Sequence, residues 1–458
     1  MTTRRDSSRD VVPLPEATRA WFAISLQTFG GPAGQISVMH RELVEERRWI
    51  GEDRFLHALS FCTLLPGPEA QQLAIYLGWL LNGTTGGLIA GSLFVLPGFV
   101  AIMVLSLIYT RFGDTTAVDA IFAGVAPAVL AIVAQAVWRV GGRALKNRFL
   151  VSISVASFVA LFFFAVPFPV IVASAALLGF CVSRIQPVLL TPTAHGPART
   201  EGNPPLVADD ALHSEPPSWP RALTILGIGM TLWILPVAFF ALAFGRESIF
   251  VRQGTFFSGT ALVTFGGAYA VLSYVAQQAV TTYGWLLPGE MIKGLAMAET
   301  TPGPLIQVVQ FVGFLGAYRN PGTLNPWVAA VIAASLVTWV TYIPCFLFIF
   351  IGAPHVERLR GNRNLSAALT AITAAVVGVI ANLAVYFSVH TIFGRVTAQS
   401  WGPVTVGVPQ WSTVSARALT VTALAFYLAF KRKWSVPRLL GACALFGGAL
   451  FLVGRYLT

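Results

Sequence analysis

The triplet Pro-Gly-Pro occurs twice inside apolar sequence, as Pro66-Gly67-Pro68 and Pro302-Gly303-Pro304, and this repetition constrains the fold more than any other feature of the chain. Proline withdraws a backbone donor and interrupts a helix, so each triplet divides an apolar stretch into two helical pieces. Three residues past the second proline both copies carry glutamine, Gln71 and Gln307.

The repeat extends well beyond the triplet. At an offset of 236, Leu26 to Gln71 aligns without a gap to Leu262 to Gln307, with 13 identities in 46 positions. Ordinary composition would give roughly 3 or 4. The identities include Thr28, Phe29, Gly30 and Gly31, then Trp49 and Leu59, then the triplet and its glutamine. Further on the offset becomes 247, pairing Pro97 and Phe99 with Pro344 and Phe346, which places 11 extra residues of the second copy around Asn320-Pro321-Gly322. Two homologous halves are expected.

With 55% hydrophobic residues, 11% charged residues and a mean hydropathy of +0.71, the chain has too little polar side chain to cover a water-soluble globule. Recurrent apolar windows of 18 residues or more fit an all-α polytopic membrane protein, and nothing suggests the short alternating strands of a barrel. The net charge of +11 follows from lysine and arginine kept in cytoplasmic loops and does not call for nucleic acid. Cys62, Cys181, Cys345 and Cys443 sit in apolar runs without metal-ligand spacing and are expected to be small core residues. No cofactor and no metal are expected. The N-terminus shows no cleavable small-residue site, so the first apolar segment is expected to stay in the mature chain.

Four regions follow: a polar tail over 1–19, in which Pro13 and Pro15 exclude an early helix; a first repeat over 20–185; a Pro-rich linker over 186–221; and a second repeat over 222–458. Phe29-Gly30-Gly31-Pro32 breaks the first apolar segment. The charged stretch from His40 to Arg54 is expected to form a solvated juxtamembrane helix. Spans are expected at about 86–110, 118–138, 149–166, 168–185, 327–351, 365–389, 415–430 and 436–454, and one without a partner in the first half at 222–244. That unpaired span makes the number of crossings between the copies odd and inverts the second. If the Phe-Gly-Gly and Pro-Gly-Pro segments are re-entrant and the N-terminus is inside, 22 of the 30 Lys and Arg fall inside; full crossings would leave 19. The positive-inside rule favours inverted repeats with re-entrant, broken helices.

Inverted repeats with broken helices are the architecture of secondary transporters, with substrate held near mid-membrane. A helix that begins at depth presents unpaired N–H groups and the positive end of its dipole, which suits an anion. The half-helices after Pro68 and Pro304 are therefore candidate sites, with Gln71 and Gln307 as amide donors. The plainer alternative, that proline and glycine only kink packed helices, explains a single triplet better than two in register. Intramembrane ionisable groups are few. Glu69 and Glu299 are candidates for a coupling proton, while His57 and Lys293, mates across the 236 offset, are candidates to neutralise an anion or to snorkel. No HExxH or GxSxG constellation suggests an enzyme.

The stretch FGGPAGQISVMHRELVEERRWIGEDRFLHALSFCTLLPGPEAQQLAIYLGW (29–79), with VLPGF (95–99) and the second copy FGG…W…ETTPGPLIQ, resembles the chromate ion transporter (CHR) family in its long-chain form with two fused domains. The resemblance implies a bacterial inner-membrane transporter that expels chromate and confers resistance, with sulfate as the similar dianion and a coupling proton or counter-ion. Its partners would be these ions and the lipid bilayer, a homodimer being a further possibility. Carried over by position, the family's signatures fall on Phe29, Gly30, Gly31, Pro32, Gln35, Pro66, Gly67, Pro68, Glu69 and Gln71. In the second copy they fall on Gly266, Gly267, Pro302, Gly303, Pro304 and Gln307, with Ala268 and Val271 where Pro32 and Gln35 stand in the first. A carrier of sulfate or another oxyanion is the alternative within transport.

Overall fold

The breaks of the repeated segments fall where proline and glycine put them. The computed structural model describes residues 11–113, 115–186, 218–265, 267–355, 363–402 and 404–456. Helix α1 (Leu14–Gln27) ends before Phe29-Gly30, and α2 (Gly31–His40) follows and runs into a wide π turn over Arg41–Glu46. Helix α3 (Glu52–Cys62) stops ahead of the first Pro-Gly-Pro, and α4 (Glu69–Phe112) starts directly after it. Within α4, Asn82 and Gly83 leave helical geometry and divide a first arm from a long membrane helix. Helices α5 (Thr116–Ala144), α6 (Arg148–Phe164) and α7 (Phe168–Ile185) complete this half.

After α8 (Trp219–Phe244) the order of elements recurs: α9 (Ile249–Val263), α10 (Ala268–Gln277) running into a second π turn over Gln278–Thr282, and α11 (Glu290–Thr300). The second Pro-Gly-Pro leads through a single 3-10 turn into α12 (Val308–Arg319), and α13 (Pro326–Gly352) follows. The link between α12 and α13, residues 320–325, lies within the stretch over which the sequence offset grows from 236 to 247. Helices α14 (Arg363–Ile392), α15 (Ala416–Phe426) and α16 (Val436–Tyr456) finish the fold. Among the described residues seven helices are long and apolar enough to cross a membrane. The protein is an all-α polytopic membrane protein.

The two halves interpenetrate. Helix α5 packs on α15 and α16 of the second half, α14 packs on α6 and α7 of the first, and the pairs α5–α14 and α4–α13 meet directly. Small residues permit the close approach: a Cβ added to Gly124 of α5 would sit 1.9 Å from the Cys443 carbonyl of α16. Tight small-residue packing replaces the hydrophobic effect that lipid cannot supply. Helix α8 lies outside this exchange, with Trp233 as its sole buried residue and Leu223, Leu232 and Leu242 exposed.

Several expectations change. Helix α1 begins at Leu14, inside the stretch expected to be a polar tail; Pro15 sits in its first turn, where a missing N–H costs nothing. The His40–Arg54 cluster is not one solvated helix. Its π turn buries Glu42 against Arg41 and Arg47, at 3.5 and 3.6 Å, and Arg54 is buried in α3. Of the four cysteines, Cys181 is exposed and the other three are buried. A β-hairpin, β1 (Val396–Trp401) against β2 (Val404–Pro409), joins α14 to α15 where no strand was expected. Most of the linker, residues 187–217, lies outside the described residues, as do Gly266, Arg358 and Arg360.

Candidate functional site

Each Pro-Gly-Pro turn is the tip of a helical hairpin. In the second half the hairpin's ends are tied together: Arg319, in the last turn of α12, donates two hydrogen bonds to Glu290, in the first turn of α11, at 2.7 and 2.8 Å. Tyr109 Oη adds a third donor to Glu290 at 3.0 Å, and the Leu287 N–H a fourth at 2.7 Å. The segment 290–319 therefore begins and ends at one level, with Pro302-Gly303-Pro304 at its far point. In the first half, Arg54 of α3 reaches Tyr76 Oη at 3.4 Å, and Asn82 at the break in α4 donates to the Val12 carbonyl at 2.6 Å.

The two tips meet the Phe-Gly-Gly segments of the opposite halves. The Gly67 N–H donates to the Thr264 carbonyl at 2.7 Å, and the Gly303 N–H donates to the Thr28 carbonyl at 3.1 Å. Gly67 and Gly303 are mates at offset 236, and so are Thr28 and Thr264; the bond is made twice, with the halves exchanged. Gly67 and Gly303 have φ of +129° and +103°, which L side chains rarely adopt. Gln35 Nε2 of α2 also donates to the Gly303 carbonyl, at 2.5 Å. Of the expected site residues, Gln35, Gly67 and Gly303 take part in these crossed links, with Pro66, Pro68, Pro302 and Pro304 flanking them in the chain, while Phe29 and Gly30 line a cavity.

The glutamines behave differently. Gln71 is fully buried, and neither its Nε2 nor its Oε1 has a hydrogen-bond partner. Gln307 is also buried, but its Nε2 donates to Gln310 Oε1 and, at 3.3 Å, to Thr338 Oγ1; only its Oε1 is unpartnered. Gln310 in turn donates to the Phe99 carbonyl at 3.0 Å. The donor expected of Gln307 is thus occupied by the protein, whereas that of Gln71 is available. Gln72, which sequence reasoning passed over, donates to the Pro66 carbonyl at 2.7 Å and stiffens the first tip.

The charged candidates separate in space. Glu69 is the first residue of α4, directly behind Pro68. His57 is half-buried on α3. Lys293 lies 5.3 Å from the ring centres of both Tyr109 and Phe122 and lines a cavity of about 680 Å³ with Asp119, Arg319 and Arg417. Glu299, at the end of α11, is buried and accepts a hydrogen bond from Tyr269 Oη. A second cavity, of about 790 Å³, is lined by Phe29, Gly30, Ala33, Arg139 and Lys433. Helix α5 joins the two: Asp119 and Pro127 line the first cavity, Gln135 and Arg139 the second. At 1.5 Å per residue Asp119 and Arg139 stand about 30 Å apart, the thickness of the hydrocarbon layer.

Interrupted hairpins whose tips bond to the Phe-Gly-Gly segments of the opposite halves, inside a polytopic helical bundle with a cavity towards either end of one long helix, mark a multi-pass membrane protein of the broken-helix class. The chain belongs to the chromate transporter family: that family's model matches residues 16–180 and 251–448. Among curated proteins, it is 30% identical to a chromate transport protein of Pseudomonas aeruginosa over 97% of this chain and 95% of that one. It is 28% identical to a chromate transport protein of Cupriavidus metallidurans, over 92% of this chain and 88% of that one. A probable chromate transport protein of Synechococcus elongatus is 27% identical, over 81% and 84% of the two chains. No solved structure matches the chain.

Proposed function

We propose that the protein exports chromate, a tetrahedral dianion, across the bacterial inner membrane by alternating access between two inverted halves, and so confers chromate resistance. The observation that carries this reading is the pair of exchanged links, Gly67 to Thr264 and Gly303 to Thr28. They would close the path between two cavities of net positive lining, one with Arg139 and Lys433 and the other with Lys293 and Arg417 against Asp119, its Arg319 being paired with Glu290; such linings attract an anion. Gln71 offers an uncommitted amide donor within this region, one turn into the half-helix behind Pro68. Rocking one hairpin pair against the other would open one cavity to the midplane while the other stays shut.

Charge supports the export direction. An anion leaving a negative interior is released down the membrane potential, worth about 2.3 kcal/mol per charge per 100 mV, and a dianion gains twice that. Orientation follows the charge bias: the cavity with Arg139 and Lys433 faces the cytoplasm, and the one with Lys293, Arg319 and Arg417 faces outward.

Everted membrane vesicles carrying the protein test this. Chromate should accumulate above empty vesicles under an imposed membrane potential or pH gradient, and excess sulfate should compete. No accumulation under any gradient would overturn the export reading. Orientation is tested in a Cys181→Ser background by Glu45→Cys and Thr323→Cys, both exposed positions. The first should be labelled only from the cytoplasmic side and the second only from outside. Labelling of both from one side would remove the inversion.

A further inference from the structure

We propose that Glu299 is the group that binds and releases a proton during oxyanion transport, with Tyr269 positioning its carboxyl and Arg139 as the counter-charge; this rests on the transport reading above. Glu299 is 1% exposed, and the mechanism so far leaves it without a task. Its Oε1 accepts from Tyr269 Oη, while its Oε2 is buried with no hydrogen-bond partner. An ionised carboxylate with one bare oxygen in a buried site costs several kcal/mol, and a bound proton relieves it. The groups that act on it come from two other helices: Tyr269 from α10 and Arg139 from α5. No His, Cys, Asp or Glu cluster suited to a metal ion occurs among the described residues.

The position offers a route for the proton. Tyr269 Oη lies 3.7 Å from where a Cβ of Gly31 would be, on the first Phe-Gly-Gly segment. Gly30, next in the chain, and Arg139 both line the 790 Å³ cavity. The cavity lining therefore stands one residue from the pair. The device also occurs once: the repeat mates of Tyr269 and Glu299 are Ala33 and Thr63. The first tip has an acid of its own, Glu69, but at a different position, directly behind Pro68, and only partly buried.

Ionised Glu299 and a bound dianion compete for the charge of Arg139. When water in the cavity delivers a proton to Glu299, Arg139 is left to the dianion, so proton and oxyanion each raise the other's affinity, by linkage equally. In proteoliposomes of the full chain, the half-saturating chromate concentration of the wild type should rise ~10-fold from mildly acid to mildly alkaline pH. Glu299→Gln should hold it at the acid value throughout. Protonation of chromate itself is common to both proteins and cancels in the comparison. An unchanged pH dependence in E299Q would overturn the proposal and leave transport standing.

Infrared difference spectra of the purified protein, taken between the two pH values without chromate, give a readout independent of transport. A carboxylic C=O band should appear on acidification and be missing in E299Q; its persistence would overturn the assignment. If the wild type moves no chromate at all, the transport reading fails while this band still decides whether Glu299 takes a proton. Should E299Q not fold, Tyr269→Phe serves instead: it should shift the midpoint of the band, and an unmoved midpoint counts against the pair.

Discussion

The two Pro-Gly-Pro turns share a sequence and a crossed backbone bond, yet they are held unequally. The second is gripped by the other half from several directions. Its Gly303 N–H meets both the carbonyl and, at 3.2 Å, the hydroxyl of Thr28, its carbonyl accepts from Gln35, and its Cβ position lies 3.2 Å from the Gly98 Cα. Among the described residues, the first is held across the halves by one backbone bond, to Thr264; the donor to Pro66, Gln72, comes from its own arm. Around Gly67 the nearest atoms are side chain, Gln72 Nε2 and Cys345 Sγ. Backbone against backbone resists displacement more than side chains that can change rotamer. The second tip is therefore the anchor and the first the part free to move, and the Gly67 amide should exchange with solvent faster than the Gly303 amide.

The largest effect should come from Gly98→Ala. Its new Cβ would sit 2.6 Å from the Pro302 carbonyl, in backbone that the second tip cannot yield. A loss of about 1–3 kcal/mol is expected, read as a lower unfolding midpoint in detergent. At the mate of Gly98 across the 247 offset, Cys345, a side chain is already present against the first tip, and Cys345→Ala should cost no more than about 1 kcal/mol. Equal losses would show that the two tips are equally rigid. Next in size is Gln35→Leu, which leaves the Gly303 carbonyl short of a buried donor at about 1–3 kcal/mol. The same change should speed exchange of the Gly303 amide towards that of Gly67. No acceleration would mean that Thr28 alone clamps the turn.

Much of this was legible in the residues. Proline and glycine mark the breaks at both Pro-Gly-Pro turns and both Phe-Gly-Gly segments, though not the one at residues 145–147, and the 236 offset pairs the elements that later prove to be exchanged. What no local pattern carries is which distant carbonyl a freed N–H will find. Thr28 and Thr264 were among the identities, and the only available signal was that identical residues stood beside identical breaks. Charge density misled at residues 41–54, because a π turn can fold Glu42 back onto Arg41 and Arg47 and bury it. The strands over 396–409 were hidden in a chain whose apolar runs all favour helix. Symmetry misled at the glutamines: Gln310, which occupies the Gln307 donor, has Ala74 at its mate position.

That last inequality yields the smallest effect on stability and the clearest division of labour. Gln307→Leu removes the donor to Gln310 and Thr338 and strands buried oxygen atoms, so a loss of about 1 kcal/mol is expected. Gln71→Leu removes no bond, since both its amide atoms lack partners, and the unfolding midpoint should stay within about 0.5 kcal/mol of wild type or rise slightly. Transport should answer the other way. A hydrogen bond to a charged group contributes about 1.5–3 kcal/mol, so losing the Gln71 donor should weaken chromate transport by ~10-fold or more. Wild-type transport in a stable Q71L protein would place the oxyanion away from the first half-helix. It would also leave the buried, unpartnered amide of Gln71 as a cost to the fold with no return in binding.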